Sequence, residues 1–357
     1  MPGDQPSSFR RFLSTWRREI IRGGVLFGLV VVAGVMISNA VRAGVGSVPW
    51  GALRSLNGFS NGFNMDPDGD LFGPGRQVGD AWTWRGQVTP SQQVWIRNTN
   101  GPVEVVQGDG NTLEVTTEKS WRNSQPSSVS LVPVTSARGV TICAVWAAHE
   151  SHCGAAGEYQ MSGVRKNDVA VRFTVHLPRG VKVDVSTMNG ELAIEGAAAP
   201  VVANTLNGRI LVHTSVGPVR ATTVNGSIEA AMDALTGGDI ELQTVNGAVT
   251  AVLPRGLNAV VDASTVNGRV ETDFALESTG KISPRHLRGT IGSGGMTLKL
   301  NTVNGSVMIR RPDGHTPFAP LAHPTGQRHT RHETRVNVTP APDPAPPAPV
   351  PPPAPQR

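Results

Sequence analysis

A tetrapeptide that recurs six times constrains the fold of this chain more than any other feature. It reads Thr, then Val, Leu or Met, then Asn and Gly. Its Asn positions are 18, 18, 21, 21 and 37 residues apart, and the last gap is close to two periods. A fixed period near 20 residues, with turn residues at a fixed place, is typical of a solenoid.

The residues on both sides of each Asn-Gly pair alternate between apolar and polar. Before Asn225, for example, Val219 and Ala221 are aliphatic and Arg220 between them is charged. The alternation restarts after the glycine, where Ile228 is again apolar. A period of two predicts a strand with one buried face. Each repeat therefore holds two short strands that meet at an Asn-Gly corner.

This pattern predicts an all-β fold, a β-solenoid (single-stranded β-helix) of about six to seven coils, preceded by one N-terminal transmembrane helix. Equivalent residues of successive coils then lie about 4.8 Å apart, so the Asn side chains can form an amide ladder. An Asn-Gly pair is also a strong hairpin signal, so an antiparallel meander or sandwich is the alternative. Asn also tolerates the left-handed backbone that such a corner needs.

The corner residues are therefore predicted to be structural, and no catalytic, cofactor-binding or metal-binding residue is assigned. They are Asn189, Gly190, Asn207, Gly208, Asn225, Gly226, Asn246, Gly247, Asn267, Gly268, Asn304 and Gly305. Residues 183–310 are expected to stack in chain order, with these asparagines in one column. An earlier corner at Asn100 and Gly101 predicts a degenerate first coil, and residues 274–296 interrupt the rhythm.

The chain divides into five predicted segments. They are a basic cytoplasmic stub (1–19), a transmembrane signal anchor (20–41), a flexible tether (42–80), the β-solenoid (81–310, with an insertion at 123–168) and a disordered Pro-rich tail (311–357). The anchor is predicted because the 19 residues between Arg22 and Arg42 are uncharged and follow five arginines. The positive-inside rule then places the rest of the chain outside the cytoplasm. A cleaved signal peptide is the alternative.

The net charge of +5 does not mark a nucleic-acid-binding face. Residues 92–310 contain 18 basic and 18 acidic residues, and the excess lies at the two ends of the chain. A nucleic-acid site would need a clustered basic stripe on the folded part. We therefore predict a single-pass protein of the inner or cytoplasmic membrane, with the repeat domain on the periplasmic or cell-surface side.

Cys143 and Cys153 are the only two cysteines in the chain. In an exported chain, an even pair this close in sequence predicts a disulfide bond. A metal site is the alternative, because His149 and His152 lie between the cysteines. Two Cys and two His within 11 residues would, however, crowd a tetrahedral zinc ion.

Five tryptophans fall in the first part of the folded region. They are Trp82, Trp84, Trp95, Trp121 and Trp146. Terminal repeats are usually atypical because they must cover the open end of the stack, so we interpret these residues as a hydrophobic cap. A platform for stacking sugars is the alternative.

These features together resemble a known group. The anchor, the early segment Asn98-Thr-Asn-Gly-Pro-Val-Glu-Val105, the cysteine-containing insertion and the serial Thr-Val-Asn-Gly strands are similar to the bacterial putative-adhesin family of β-strand-repeat envelope proteins. The resemblance covers roughly residues 92–310. It implies an extracytoplasmic β-helical domain of unknown function in a bacterial envelope, with no catalytic residues to carry over.

Carbohydrate-active enzymes also use parallel β-helices, and a glycosidase needs two carboxylates about 5–10 Å apart in one cleft. Asp184, Glu241 and Asp262 share the outward position of one strand. Adjacent coils are expected to bring Glu241 and Asp262 to about 4.8 Å. The same position also holds Arg220 and Lys299, which is the pattern of a solvated polar face.

We therefore expect a membrane-anchored binding or scaffolding module of the cell envelope that does not catalyse a reaction. Its partners are expected to be the membrane, through the N-terminal helix, and an envelope protein or a glycan. A sensor or accessory component of an envelope-stress system is one alternative, and a carbohydrate-active β-helix enzyme is another.

Overall fold

The structure is a computed structural model that describes residues 71–73, 75–79, 81–146, 151–161, 167–278 and 283–312. The predicted cytoplasmic stub and transmembrane anchor lie outside these residues, as do most of the predicted tether and tail. Within the described ranges, no helix is long and apolar enough to cross a membrane.

The described part of the chain is almost entirely β-structure. Two short 3-10 helices, Pro126–Ser128 and Ala155–Gly157, accompany the strands. The strands are β1 (Gln77–Val78), β2 (Trp82–Gln87), β3 (Gln93–Arg97), β4 (Val103–Gln107), β5 (Thr112–Trp121), β6 (Val129–Ser136), β7 (Gly139–Trp146), β8 (His152–Cys153), β9 (Tyr159–Gln160), β10 (Ala170–Leu177), β11 (Lys182–Ser186), β12 (Leu192–Ala197), β13 (Val201–Asn204), β14 (Ile210–Thr214), β15 (Val219–Thr222), β16 (Ile228–Met232), β17 (Ile240–Gln243), β18 (Val249–Val252), β19 (Ala259–Ser264), β20 (Val270–Thr272), β21 (Glu277–Ser278), β22 (His286–Ile291), β23 (Met296–Asn301) and β24 (Val307–Arg310).

Two sheets, each of 11 strands, form the body of the domain. Sheet A contains β4, β12, β14, β16, β18, β24 and β20 in spatial order, and sheet B contains β3, β11, β13, β15, β17, β23 and β19. We call each strand of sheet B, with the strand of sheet A that follows it in the chain, a coil. Along the stack, coils 1 to 7 are β3–β4, β11–β12, β13–β14, β15–β16, β17–β18, β23–β24 and β19–β20.

The strands of neighbouring coils pair in parallel and in the register that the repeat predicts. In sheet B, Val201 lies opposite Val219, and Asn204 lies opposite Thr222. Each Asn-Gly corner connects a strand of sheet B to a strand of sheet A, rather than two neighbours in one sheet. The alternative of an antiparallel meander, with these corners as hairpin tips, is therefore wrong.

Small aliphatic side chains fill the space between the two sheets. In coil 4, Ala221, Ile228 and Ala230 are 0–1% exposed. The residues that alternate with them along β15 and β16 face outward. Burying a Val, Leu or Ile side chain contributes about 1.5–3 kcal/mol. The inward columns of one hydrophobic core thus hold the coils together along the stack.

The order of the coils in the stack differs from their order in the chain. β17 pairs with β23, and β19 lies on the far side of β23. In the same way, β24 lies between β18 and β20. The last strand pair of the domain, coil 6, is therefore inserted between coils 5 and 7. The expectation that residues 183–310 stack in chain order is wrong at this place.

The segment that interrupts the repeat rhythm, residues 274–296, makes this exchange. It contains β21 and β22, and β22 runs antiparallel to β19, so it closes the end of sheet B. Phe274 and Leu287 are buried there against the core. The turn at residues 292–295 contains three glycines with positive φ, a backbone conformation that glycine adopts readily. It leads into β23, which lies between β17 and β19.

The other end of the stack is closed by antiparallel strands. β10 pairs with one edge of β5, while β1 and β2 pair with the other. The hairpin β6–β7, within the predicted insertion 123–168, extends sheet B beside β3. β1 lies inside the predicted tether. Trp146 is buried in the core, and Trp82, Trp84 and Trp121 pack against it, as the predicted hydrophobic cap requires. Trp95 is also buried, but it lies outside this core cluster.

Candidate functional site

The corner asparagines form one column along the stack. Parallel bridges connect them in the order Asn100, Asn189, Asn207, Asn225, Asn246, Asn304 and Asn267. From Asn207 onward, each side-chain amide donates to Oδ1 of the preceding asparagine over 2.7–2.9 Å. The predicted amide ladder is confirmed, with Asn304 inserted between Asn246 and Asn267.

The threonines of the tetrapeptide form a second ladder, which we did not predict. Thr223 Oγ1 donates to the carbonyl oxygen of Gly208 over 3.1 Å, and Thr302 Oγ1 donates to that of Gly247 over 2.8 Å. The same bond recurs at the other four corners. Thr223 is 1% exposed, and a buried hydroxyl needs such a partner. The recurrence of threonine in all six tetrapeptides is the sequence feature that could have predicted this ladder.

The corner glycines allow successive coils to approach closely. A Cβ atom on Gly226 would lie 2.0 Å from the carbonyl oxygen of Gly208, and the other five corner glycines would make the same clash at 1.9–2.1 Å. The predicted left-handed backbone of the asparagines is wrong. Among the residues that the structure describes, Ala156 is the only non-glycine with a positive φ. Asparagine is thus selected at the corners for its amide rather than for its backbone.

The remaining residue of the tetrapeptide is also part of the packing. Leu206, Val224, Val245 and Val303 form a second apolar cluster, in which each is 5–9% exposed. Met188 and Val266 pack against its two ends. All four positions of the motif therefore have a structural role.

The outward face of sheet B carries a column of charged residues that pair across the coils. Lys299 Nζ lies 3.0 Å from Glu241 Oε1, and Arg220 Nε lies 3.5 Å from Glu241 Oε2. Arg288 on β22 pairs with Asp262. The expected proximity of Glu241 and Asp262 is wrong, because Lys299 lies between them in register. This column alternates in charge and contains no isolated carboxylate pair in the described coils.

A column of amide and hydroxyl side chains runs beside these charges. Its members are Asn204, Thr222, Gln243, Asn301 and Ser264. Ser264 Oγ donates to Asn301 Oδ1 over 2.7 Å. Donors and acceptors thus recur at the strand spacing of about 4.8 Å. Asn301 and Ser264 are buried, whereas Asn204, Thr222 and Gln243 are partly exposed and can form hydrogen bonds to a polar ligand.

A disulfide-bonded loop covers the N-terminal end of this face. Cys143 and Cys153 are bonded to each other, as predicted. Arg97 Nε donates to the carbonyl oxygen of Gly157 in the loop over 3.0 Å, and Arg97 Nη1 lies 2.8 Å from Asp184 Oδ1. Asp184, the third outward carboxylate considered above, therefore has a structural partner.

Tyr159 and Trp95 lie beneath the same loop. The Tyr159 hydroxyl lies 2.7 Å from the carbonyl oxygen of Ala144 and 2.7 Å from Thr99 Oγ1. Burial raises the pKa of Tyr159. Trp95 is 7% exposed and packs closely against Gly157. Its ring is therefore not an open platform for a sugar.

The geometry of the loop does not fit the alternative of a metal site. The two sulfur atoms are bonded to each other, so neither is available as the thiolate that binds zinc. His152 Nε2 lies 4.0 Å from Glu158 Oε2. His149 lies outside the described residues.

The outward face of sheet A carries a cluster that we did not predict. His213 Nδ1 lies 2.7 Å from Glu195 Oε1, and His213 Nε2 lies 2.9 Å from Asp233 Oδ1. Partial burial lowers the pKa of His213, but the hydrogen bonds to Asp233 and Glu195 outweigh it and raise the pKa above its ordinary value. The imidazole connects coils 2, 3 and 4. Glu195 and His213 each lie six residues after a corner asparagine. This shared position in the repeat could have predicted that the two side chains are neighbours.

One family model matches most of the stack of coils. Residues 150–310 match the family model Toastrack DUF4097. A comparison with curated proteins finds no match. Coil 1 and the strands before it precede the matched segment.

Two solved structures are similar to part of this chain. One is a putative cell adhesion protein from Clostridium sporogenes ATCC 15579, with 8% identity, a TM-score of 0.40, and 65% of this chain and 100% of that chain covered. The other is a putative adhesin from Bacteroides fragilis NCTC 9343, with 10% identity, a TM-score of 0.29, and 65% and 97% covered. At these identities and TM-scores, no function is transferred from either structure. The repeat-bearing segment of this chain, residues 150–310, is therefore similar to the Toastrack DUF4097 family, in agreement with the family resemblance that its repeat carries.

Proposed function

We propose that this chain is a binding module on the outer side of a bacterial cytoplasmic or inner membrane, and that it does not catalyse a reaction. The outward face of sheet B would contact the partner, an envelope protein or a glycan. The uncharged segment after Arg22 supports membrane anchoring. The disulfide between Cys143 and Cys153 supports an extracytoplasmic location.

The separation of Glu241 from Asp262 by Lys299 is the observation that carries this proposal. A glycosidase needs one carboxyl group to donate a proton and a second to attack or to activate water. Here each of the two carboxylates is paired with a cation, Lys299 or Arg288. The column is therefore better suited to a fixed polar surface than to acid–base chemistry.

The chemistry of the two outward columns supports a polar partner. The charges alternate in sign, the folded region is neutral overall, and partly exposed amides and a hydroxyl lie beside them in coils 3 to 5. Binding to such a surface is expected to depend weakly on salt, since no single-sign stripe is available to release counterions.

The proposal can be tested by cross-linking the full chain in its native membrane and capturing the products. Thr222→Arg places a bulky cation on the face of sheet B, and Thr250→Arg is the matched control on the face of sheet A. Both threonines lie in strands and are half-buried. We expect the captured partner to be lost with Thr222→Arg and retained with Thr250→Arg. Cleavage of a polysaccharide by the purified chain, or capture unaffected by Thr222→Arg, would contradict the proposal.

A further inference from the structure

The last coil of the stack, coil 7, presents three backbone N–H groups to the closing segment. They belong to Thr265, Gly268 and Val270. In coil 6, the equivalent groups of Thr302, Gly305 and Val307 donate to carbonyl oxygens of coil 7. No further repeat coil follows coil 7 among the described residues, so its outward N–H groups need other partners.

The closing segment provides two of these partners. The carbonyl oxygen of Arg285 accepts from Thr265 N over 2.9 Å, and that of Pro284 accepts from Val270 N over 2.8 Å. Gly268 N, which lies between them, has no hydrogen-bond acceptor among the described residues. The Asn267–Gly268 corner thus differs from the other six corners of the stack.

At those other corners, the glycine nitrogen is bonded within the ladder. Gly226 N donates to the carbonyl oxygen of Asn246, and Gly247 N donates to that of Asn304, both over 2.9 Å. Gly101, Gly190, Gly208 and Gly305 make the same bond. Exposure does not explain the difference, because Asn225, Asn246 and Asn267 are all exposed.

The chemistry of an Asn-Gly pair makes this nitrogen important. When it loses its proton, the glycine nitrogen can attack the side-chain carbonyl carbon of the asparagine, because glycine has no side chain to hinder the approach. A C–N bond forms and closes a cyclic imide, while the bond to the side-chain nitrogen breaks and ammonia leaves with the proton. Water then opens the imide to give aspartate or isoaspartate. No oxidant or reductant is needed.

We propose that Asn267–Gly268 is a site of spontaneous deamidation, distinguished from the Asn-Gly pairs of the other five tetrapeptide repeats by its position at the end of the ladder. At the inner corners, the glycine N–H must first leave its hydrogen bond and the nitrogen must move out of the bridge. At Gly268, no described residue accepts a hydrogen bond from the nitrogen, so no such bond has to break before the attack.

Deamidation would also change the end of the amide ladder. Asn267 Nδ2 donates to Asn304 Oδ1 over 2.8 Å. A carboxylate at this position has no hydrogen to donate and places a negatively charged oxygen against the Asn304 oxygen. Isoaspartate adds a methylene group to the backbone as well. The modification would therefore weaken the contact between coils 6 and 7.

The test is to incubate the folded full chain at mildly alkaline pH and to follow each Asn-Gly peptide by mass spectrometry. The corners at Asn225, Asn246 and Asn267 share the sequence Thr-Val-Asn-Gly, so the first two are internal controls. We expect Asn267 to deamidate roughly tenfold faster than either, which corresponds to opening about one hydrogen bond at the controls. In denaturant, the three rates should converge.

Two results would overturn the proposal. One is an equal or lower rate at Asn267 than at Asn225 and Asn246 in protein that a melting curve shows to be folded. The other is the same rate advantage at Asn267 in denaturant, because the local sequence and not the ladder would then set the rate. Asn267→Gln should remove the fast conversion and leave the other corners slow.

Discussion

Lys299 donates a hydrogen bond of 3.0 Å to Glu241, although 58 residues separate the two in the chain. This contact exists because coil 6 lies between coils 5 and 7. Asp262, the next carboxylate of the repeat in chain order, lies on the other side of Lys299. Stacking in chain order would instead place Glu241 beside Asp262, so Lys299 favours the observed order.

Lys299→Glu should therefore destabilise the domain. The change would put three carboxylates in adjacent register, and like charges opposite each other in a sheet are unfavourable. We expect the free energy of unfolding to fall by about 1–2 kcal/mol, and Lys299→Gln to cost less because it removes attraction without adding repulsion. Denaturant unfolding measures both. Equal costs for the two variants would argue against this role of the charge.

Asn225→Ala should lower stability through the amide ladder. Asn225 donates to Asn207 Oδ1 over 2.7 Å and accepts from Asn246 Nδ2 over 2.8 Å. We expect a cost of about 1–3 kcal/mol, since two hydrogen bonds are lost. Asn267→Ala is the control, because Asn267 makes one ladder bond, and it should cost about half as much. Unchanged denaturant midpoints for Asn225→Ala would refute the ladder's contribution.

Thr223→Val should reveal the second ladder. Valine keeps the shape of threonine but removes the buried hydroxyl that donates to the carbonyl oxygen of Gly208, so this oxygen loses a partner. We expect a cost of about 1–2 kcal/mol. Thr250→Val, in an outward position of β18, should change stability by less than about 0.5 kcal/mol. Thermal unfolding of the two variants side by side measures this difference. Similar melting temperatures would count against a contribution of the threonine ladder to stability.

The His213 cluster should make stability depend on pH. Because hydrogen bonds to Asp233 and Glu195 raise the pKa of His213 in the folded state, the folded protein binds the proton more tightly than the unfolded chain. The contribution is fully present below the ordinary histidine pKa and is lost as pH rises through the raised value. NMR titration of the imidazole gives the pKa, and His213→Gln should remove this part of the pH profile. A pKa at or below the ordinary value would contradict the geometry.

Much of the fold could be predicted from the sequence, because the repeat carries its own register. The alternation around Asn225 indicates which side chains face the core, and the shared Asn-Gly corner indicates which residues become neighbours. Even the degenerate coil at Asn100 follows these offsets. The same property explains the error in coil order. Because coils 6 and 7 have the same corner and the same apolar positions, the motif alone does not determine which of them pairs with coil 5.

The information that decides the order lies outside the motif. It includes the charge on Lys299 and the closing segment around β22, whose antiparallel pairing with β19 has no counterpart in the repeat. For the site, position in the repeat predicted that Glu241 and Asp262 face outward, but not that Lys299 separates them. The disulfide could be predicted from export and cysteine count. The loop that buries Trp95 could not, because it has no periodicity.

Disulfide cross-linking in the full chain tests the central claim most directly, since the order of the coils both defines the fold and separates the two carboxylates. Neighbouring strands lie about 4.8 Å apart, and a disulfide needs Cα atoms within about 7 Å. Glu241→Cys with Lys299→Cys should therefore cross-link under mild oxidation. Glu241→Cys with Asp262→Cys, about two strand spacings apart, should not. Efficient cross-linking of the second pair and not the first would show that the coils stack in chain order. Glu241 and Asp262 would then again be a candidate catalytic pair.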